Sequence, residues 1–332
     1  MKRYSRSGFM LLAALGLLTC GLASPAMSLA QGQASYTNVP NFFPAQPDNQ
    51  LLGPTHGGAA IDRAGNVYIS TDTPRGIVVF GPDGKYLRHF GPSMIHGLHL
   101  QREADGEYLY AARPSAHEVV KIKTDGTTVW TMGYPEAAGI YTKADEFNPT
   151  NVVALRDGTI FVADGYGKNF IHKFDKDRKY VKSFGGPGGN PAEEGKFHRC
   201  HGLAVDRRGD TPLLVVCNRE TGRVEHWDTD GNLVKVLLRD LRMPAAAVVR
   251  GDYIAIAELQ GRVTVLGKDN SIAAQIGDNP KAEQRANFGL EPEQWTDGIC
   301  NSPHAVAFDR EGNLVVAEWS KFGRLHKFNR AR

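Results

Sequence analysis

Histidine is the residue to start from, because a neutral imidazole is both a proton carrier and the commonest protein ligand for a metal. The chain has 332 residues and eleven histidines. Three of them open closely similar runs: His-Gly-Leu-His-Leu at His96, His-Gly-Leu-Ala-Val at His201 and His-Ala-Val-Ala-Phe at His304. Three imidazoles converging on one point form a metal site with an open coordination position, the layout of catalytic rather than closed structural sites. Residues so far apart in sequence meet only if the fold repeats and brings each repeat to a common axis.

A repeat is present. Its clearest copy starts at His201, HGLAVDRRGDTPLLVVCNRETGRVEHWDTDGNLVKVL. A short apolar strand ends at an aspartate, a Gly-containing turn leads to a second apolar strand, and a polar turn, a third strand, an Asp-Gly turn and a fourth strand follow. Strand, turn, strand at short spacing is an antiparallel meander. Related runs begin at Gly57, His96, Asn151, Ala245 and His304, which makes six copies. One four-stranded sheet cannot bury both of its faces, whereas sheets packed radially bury each other. The expected fold is therefore all-β, a six-bladed β-propeller of four-stranded antiparallel blades. The last copy stops at Phe328 before a fourth strand, and the segment from Tyr36 to Leu52 is available to supply it and close the ring, removing a sheet edge.

Aligned by their first strands, the six copies open with Gly57, His96, Asn151, His201, Ala245 and His304. The histidines occupy alternate blades, and the first strand of each blade lines the channel, so three imidazoles should approach the axis from three directions. His56 lies one residue out of this register and is expected to point into the blade wall. His99, His117, His172, His198, His226 and His326 also lie off it and read as surface or strand-face residues. The second strands run back to the same mouth and end in Asp72, Arg113, Asp164-Gly165-Tyr166, Asn218-Arg219, Glu258 and Glu318-Trp319, a polar ring that would border a pocket. In it, Tyr166 is a candidate proton acceptor and Arg219 a candidate carboxylate fork.

The first thirty residues differ from the rest. Lys2, Arg3 and Arg6 precede an apolar run from Phe9 to Ala23, and Ser28-Leu29-Ala30 supplies small residues at the expected cleavage point. This is the pattern of a secretory signal peptide. A membrane anchor would need about 18–20 apolar residues, more than this run offers, and Thr19-Cys20 is a poor lipoprotein box. The expected organisation is a signal peptide over 1–30, an N-terminal segment with the closing strand over 31–54 and the propeller over 55–332, in an exported protein, periplasmic or secreted, acting as a monomer. All three excess positive charges lie in the signal; removing them leaves 36 basic residues against 36 acidic ones. A near-neutral chain argues against a nucleic-acid partner, and no later stretch is long enough to span a bilayer. Cys200, Cys217 and Cys300 remain after cleavage. An oxidising compartment permits disulfides, and a Cys200–Cys217 bridge with Cys300 free is the expected pairing.

The blades resemble NHL repeats. Beyond that, Asn148-Pro149-Thr150, FVADGYGKNFIHKFDKDRKYVKSFG, HGLAVD and CNRETGRVEHW are similar to the lyase domain of the peptide-amidating enzymes, peptidyl-α-hydroxyglycine α-amidating lyase. The resemblance covers most of the chain beyond residue 30 and is strongest from Asn148 to Leu237 and around Ser302-Pro303-His304. It implies a six-bladed propeller whose zinc is held by His96, His201 and His304, a catalytic tyrosine at Tyr166 in its Asp-Gly-Tyr turn, and a substrate-binding arginine at Arg219. A second family arginine corresponds to Arg75, although the turn here is Asp72-Thr-Pro-Arg75-Gly76 rather than His-Arg-Gly. The family often has Asp after its third histidine, serving a structural calcium; Ala305 stands there, which leaves calcium open. Gly167 replaces a cysteine that follows the tyrosine. The implied reaction cleaves the C–N bond of an N-acyl- or peptidyl-α-hydroxyglycine, a small molecule or a peptide C-terminus, to an amide and glyoxylate. Two other readings remain at this level: a lactonase-type metal-dependent hydrolase, which favours carboxylate and amide ligands around calcium, and a non-catalytic binding propeller. Fold alone does not separate them.

Overall fold

The computed structural model describes residues 34–44, 51–188 and 193–331. The expected signal peptide lies outside the described residues. The described strands form six four-stranded antiparallel sheets, in which, Tyr36–Asn38 apart, consecutive strands pair, mostly through tight turns containing Asp or Gly. Six apolar clusters hold the sheets together, each shared by two neighbouring blades. One joins Val153 and Phe161 of blade 3 to Leu203, Val216 and Trp227 of blade 4. Another joins Ala305, Val315 and Ala317 of the last blade to Ala59, Ile69 and Val78 of the first, so the ring has no open gap between sheets. This is a six-bladed β-propeller. In the last blade Tyr36–Asn38 pairs antiparallel with Leu325–Arg330, with Thr37 opposite Asn329, as the fourth strand of that sheet.

The inner strands are Ala59–Ile61, Gly97–Arg102, Asn151–Ala154, Cys200–Asp206, Pro244–Arg250 and Pro303–Phe308. They line a central cavity of about 380 Å³. Three of them begin with a β-bulge. In blade 4 Cys200 pairs with Asn218 and Gly202 with Cys217, leaving His201 as the extra residue. Ala245 and His304 are the extra residues in blades 5 and 6. A bulge increases local twist and re-aims a side chain, which here turns His201 and His304 out of the strand faces toward the axis.

The bulge also corrects the expected disulfide. Cys200 packs into the cluster between blades 3 and 4, while Cys217 packs into that between blades 4 and 5. The two thiols lie on opposite faces of one sheet, and Cys200, Cys217 and Cys300 are all free and buried.

The polar ring expected at the mouth is largely a fastening system instead. Asp164, Asn218, Glu258 and Glu318 are buried, and each accepts a backbone N–H from the loop that leads into the first strand of its own blade: Asn148, His198, Arg242 and Asn301, at 2.6–2.9 Å. In blade 2 the polarity is reversed, with Arg113 Nε donating to the carbonyl of Ser93 at 3.2 Å. Side chains of the third strand complete three of these ties, Glu225 on Asn218, Arg262 and Thr264 on Glu258 and His326 on Glu318, and Tyr141 completes that of Asp164. Buried backbone groups in loops must find partners, and these side chains supply them. The loops are thereby held where the mouth residues need them.

Candidate functional site

His96, His201 and His304 are buried, and their ring centroids stand 4.6, 4.8 and 5.0 Å apart, a nearly equilateral triangle. Each ring is fixed by the following blade. His96 Nδ1 lies 2.7 Å from the Thr150 carbonyl, His201 Nδ1 2.6 Å from that of Ala245, and His304 Nδ1 3.0 Å from that of Gly57. The even blades supply the imidazoles and the odd blades supply the carbonyls that orient them. A carbonyl accepts only, so every Nδ1 carries its proton and every Nε2 presents a lone pair. Gly202 permits the close approach in blade 4: a Cβ there would come within 2.5 Å of the Ala245 carbonyl oxygen. Burial, reinforced by the neighbouring imidazoles and Arg219, holds all three rings well below the ordinary histidine value and hence neutral.

Tyr166 closes the site from blade 3. Its hydroxyl lies 3.0 Å from Nε2 of both His96 and His201 and 3.3 Å from Arg219 Nη1. The Asp-Gly-Tyr turn reaches this point because Gly165 lies against the Cys200 carbonyl, where a Cβ would meet oxygen at 2.2 Å, and because Asp164 gathers the backbone N–H groups of Asn148 and Lys168. Burial pushes the Tyr166 hydroxyl up from its ordinary value, and the Arg219 guanidinium opposes that rise. Arg219 itself is buried and pairs with Glu220 at 2.9 Å.

Two groups at this mouth escaped the sequence reading. His56 does not point into the blade wall. Its ring stands 4.8 Å from His96 and 4.9 Å from His304, and its Nε2 lies 3.4 Å from the Tyr166 hydroxyl. The ligand nitrogens of His56, His96 and His304 all lie within 4.8 Å of one another. Burial, with Arg219 nearby, pushes His56 down to about 4. His56 obeys no strand register because Thr55 makes only an isolated bridge to Ser320 and the strand starts at Ala59. The second group is Arg199, whose guanidinium lies 5.4 Å from the Tyr166 ring centroid and pairs with Glu220 at 3.3 Å. Its place two residues before His201 was the available signal. The contacts described for Arg75 go instead to the carbonyls of Leu51 and Leu52, and the guanidiniums that lie against Tyr166 are those of Arg219 and Arg199. Trp319 stands beside His56 and against Phe288, at 5.9 and 5.1 Å between centroids, forming an apolar wall.

The donor set fits a divalent transition metal. Neutral imidazoles with oriented Nε2 lone pairs suit zinc and its neighbours, and His304 Nε2 is buried with no hydrogen-bond partner, an arrangement that is costly unless something occupies the point it faces.

Fold and site together place the chain among six-bladed propellers with a histidine-rich channel mouth. Solved structures with this fold include a virginiamycin B lyase from Staphylococcus aureus (TM-score 0.56, 15% identity, 90% of this chain and 99% of that one) and a gluconolactonase from Xanthomonas campestris (TM-score 0.59, 12% identity, 90% and 95%). No protein-family model matches the chain. In sequence it is similar to a probable peptidyl-α-hydroxyglycine α-amidating lyase of Caenorhabditis elegans, 25% identical over 259 residues, and to peptidyl-α-hydroxyglycine α-amidating lyase 1 of Drosophila melanogaster, 26% identical over 257 residues. The matches take in 73% and 71% of this chain and 67% and 44% of those proteins, so less than half of the fly enzyme is represented. Among the described residues no helix is long and apolar enough to cross a membrane.

Proposed function

We propose that the protein is a metal-dependent carbon–nitrogen lyase that converts an N-acyl- or peptidyl-α-hydroxyglycine to a primary amide and glyoxylate. The observation that carries this reading is the triangle of neutral imidazoles, each oriented by the next blade, with Tyr166 and Arg219 directly over it. The named relatives support the same reaction.

His96, His201 and His304 would hold the metal, zinc by donor type, with His56 within reach of the same centre. When bound, it supplies Lewis-acid polarisation of the substrate oxygens and lowers the pKa of a hydroxyl beside it. The chain's own groups account for the rest. Arg219 presents a guanidinium fork that matches the substrate carboxylate, and Arg199 adds a second positive charge on the same side. Tyr166, whose phenolate the Arg219 guanidinium favours, takes the proton of the carbinol hydroxyl. As that O–H breaks, its electrons form the aldehyde C=O, the C–N bond breaks, and the amide nitrogen takes up one proton. The proton lost from oxygen equals the one gained by nitrogen, so the reaction consumes neither water nor an oxidant. The Trp319–Phe288 wall suits an apolar acyl group. Export, read from residues 1–30, and a monomeric state belong to the same proposal.

The test is glyoxylate release from α-hydroxyhippurate and a second N-acyl-α-hydroxyglycine by metal-loaded protein, with lactone hydrolysis measured alongside. Glyoxylate and amide in equal amounts are expected. Lactone hydrolysis without glyoxylate would transfer the site to a hydrolase, and the absence of both activities would remove the lyase reading.

A further inference from the structure

The channel has a second mouth, at the other ends of the inner strands. There each blade carries an arginine at or just after the end of its first strand: Arg63, Arg102, Arg156, Arg207, Arg250 and Arg310. The function proposed above uses none of them. Four, Arg102, Arg156, Arg207 and Arg250, line the central cavity, and that lining contains no aspartate or glutamate. The acidic residues of the same turns are turned elsewhere. Asp62 is bonded by Asn66 and Tyr68, Asp206 by Arg208, and Asp309 by Asn313 and Lys327. Of the four arginines, Arg102 is paired with Glu107 at 2.8 Å and Arg250 donates to the Arg310 carbonyl at 2.6 Å.

Arg156 and Arg207 differ. Among the described residues neither guanidinium has a hydrogen-bond or ion-pair partner; partial burial and then the charge on Arg156 depress Arg207, and Asp157 opposes them. Deeper in the cavity His99 has a buried Nε2 without a partner. Like charges gathered at the end of a low-dielectric channel focus a positive potential on its axis. Two unengaged guanidinium forks are the donor set that planar or tetrahedral oxyanions accept.

We propose that the mouth opposite the histidines is an anion-binding site, in which a small oxyanion, phosphate or carboxylate, sits on the channel axis between Arg156 and Arg207, with Arg102 and Arg250 completing the rim. The site is independent of the lyase reading and lies at the other end of the inner strands.

Calorimetric titration of the metal-loaded full chain with inorganic phosphate, and separately with malonate, at constant ionic strength set by chloride, tests it. Saturable binding is expected at a site that persists in Arg219→Ala, where the carboxylate fork of the histidine mouth is gone, and the stronger of the two anions at that site identifies the oxyanion. The Arg156→Gln/Arg207→Gln double variant should bind about tenfold more weakly or worse, since losing charge-assisted hydrogen bonds of ordinary strength costs at least that factor. Neither guanidinium makes a hydrogen bond or ion pair among the described residues, so this variant should keep the wild-type metal content and an equal or higher thermal midpoint without anion. Arg219→Ala should keep the binding, because it alters only the histidine mouth. Unchanged affinity in the double variant, loss of binding in Arg219→Ala, or no saturable binding of either anion would each overturn the proposal.

Discussion

Tyr166 is subject to opposing influences that a simple contact count would miss. Its burial favours the neutral phenol, and the Arg219 guanidinium at 3.3 Å favours the phenolate. Tyr166→Phe keeps the ring and its packing against His96 and His201 but removes the hydroxyl to which the proposed mechanism gives the carbinol proton. Turnover should fall by about 10²–10⁴-fold, the range for loss of a general base, with little change in KM. Arg219→Ala should act mainly on KM, because a carboxylate contact present in both ground and transition states contributes binding rather than rate. Arg219→Lys should restore only part of the loss, since an ammonium cannot make two parallel hydrogen bonds. Steady-state glyoxylate release gives both parameters. Equal kcat in wild type and Tyr166→Phe would remove the tyrosine from the chemistry.

At the scale of strands and loops, the buried ties at the second-strand ends are the parts on which the mouth depends. Glu258 accepts from Arg242 N, Arg262 and Thr264 in a position with no solvent access. Glu258→Ala leaves Arg262 without its counter-charge and the Arg242 N–H without an acceptor. Breaking a buried pair in this way costs about 3–5 kcal/mol, and equilibrium urea unfolding should show that loss. A change below about 1 kcal/mol would place this tie with ordinary surface ion pairs.

The same ties show what the sequence could and could not disclose. Repeat length, Asp-Gly turns and apolar first strands specified the blades, because a strand's period and its turn chemistry are local properties. The alternation of His96, His201 and His304 was visible for the same reason. The bulges at His201 and His304 were not, since one extra residue in a ladder leaves no mark on composition, and that residue carried Cys200 and Cys217 onto opposite faces. His56 was misplaced because a strand register was applied to a residue outside any strand. Asp164, Glu258 and Glu318 were read as pocket lining because only the folded loops show which backbone groups they serve.

On the scale of the whole molecule, the propeller converts chain positions far apart in sequence into neighbours around one axis. One mouth gathers neutral imidazoles, Tyr166 and Arg219, and the other a ring of arginines, of which Arg156 and Arg207 have no hydrogen-bond or ion-pair partner among the described residues. The histidine centre is a product of the ring, since each imidazole is oriented by a carbonyl of the next blade and no single blade contains both partners. It follows that every loss weakens the centre: one histidine of the triangle replaced leaves the other two with His56 in reach, and all three replaced leave His56 alone. Elemental analysis of purified protein after exhaustive dialysis measures this directly. One transition metal per chain is expected in the wild type, less in His201→Ala, where His56, His96 and His304 remain, and none in the His96→Ala/His201→Ala/His304→Ala variant, while the circular dichroism spectrum remains that of a β-sheet protein. Full metal retention in the folded triple variant would contradict the account.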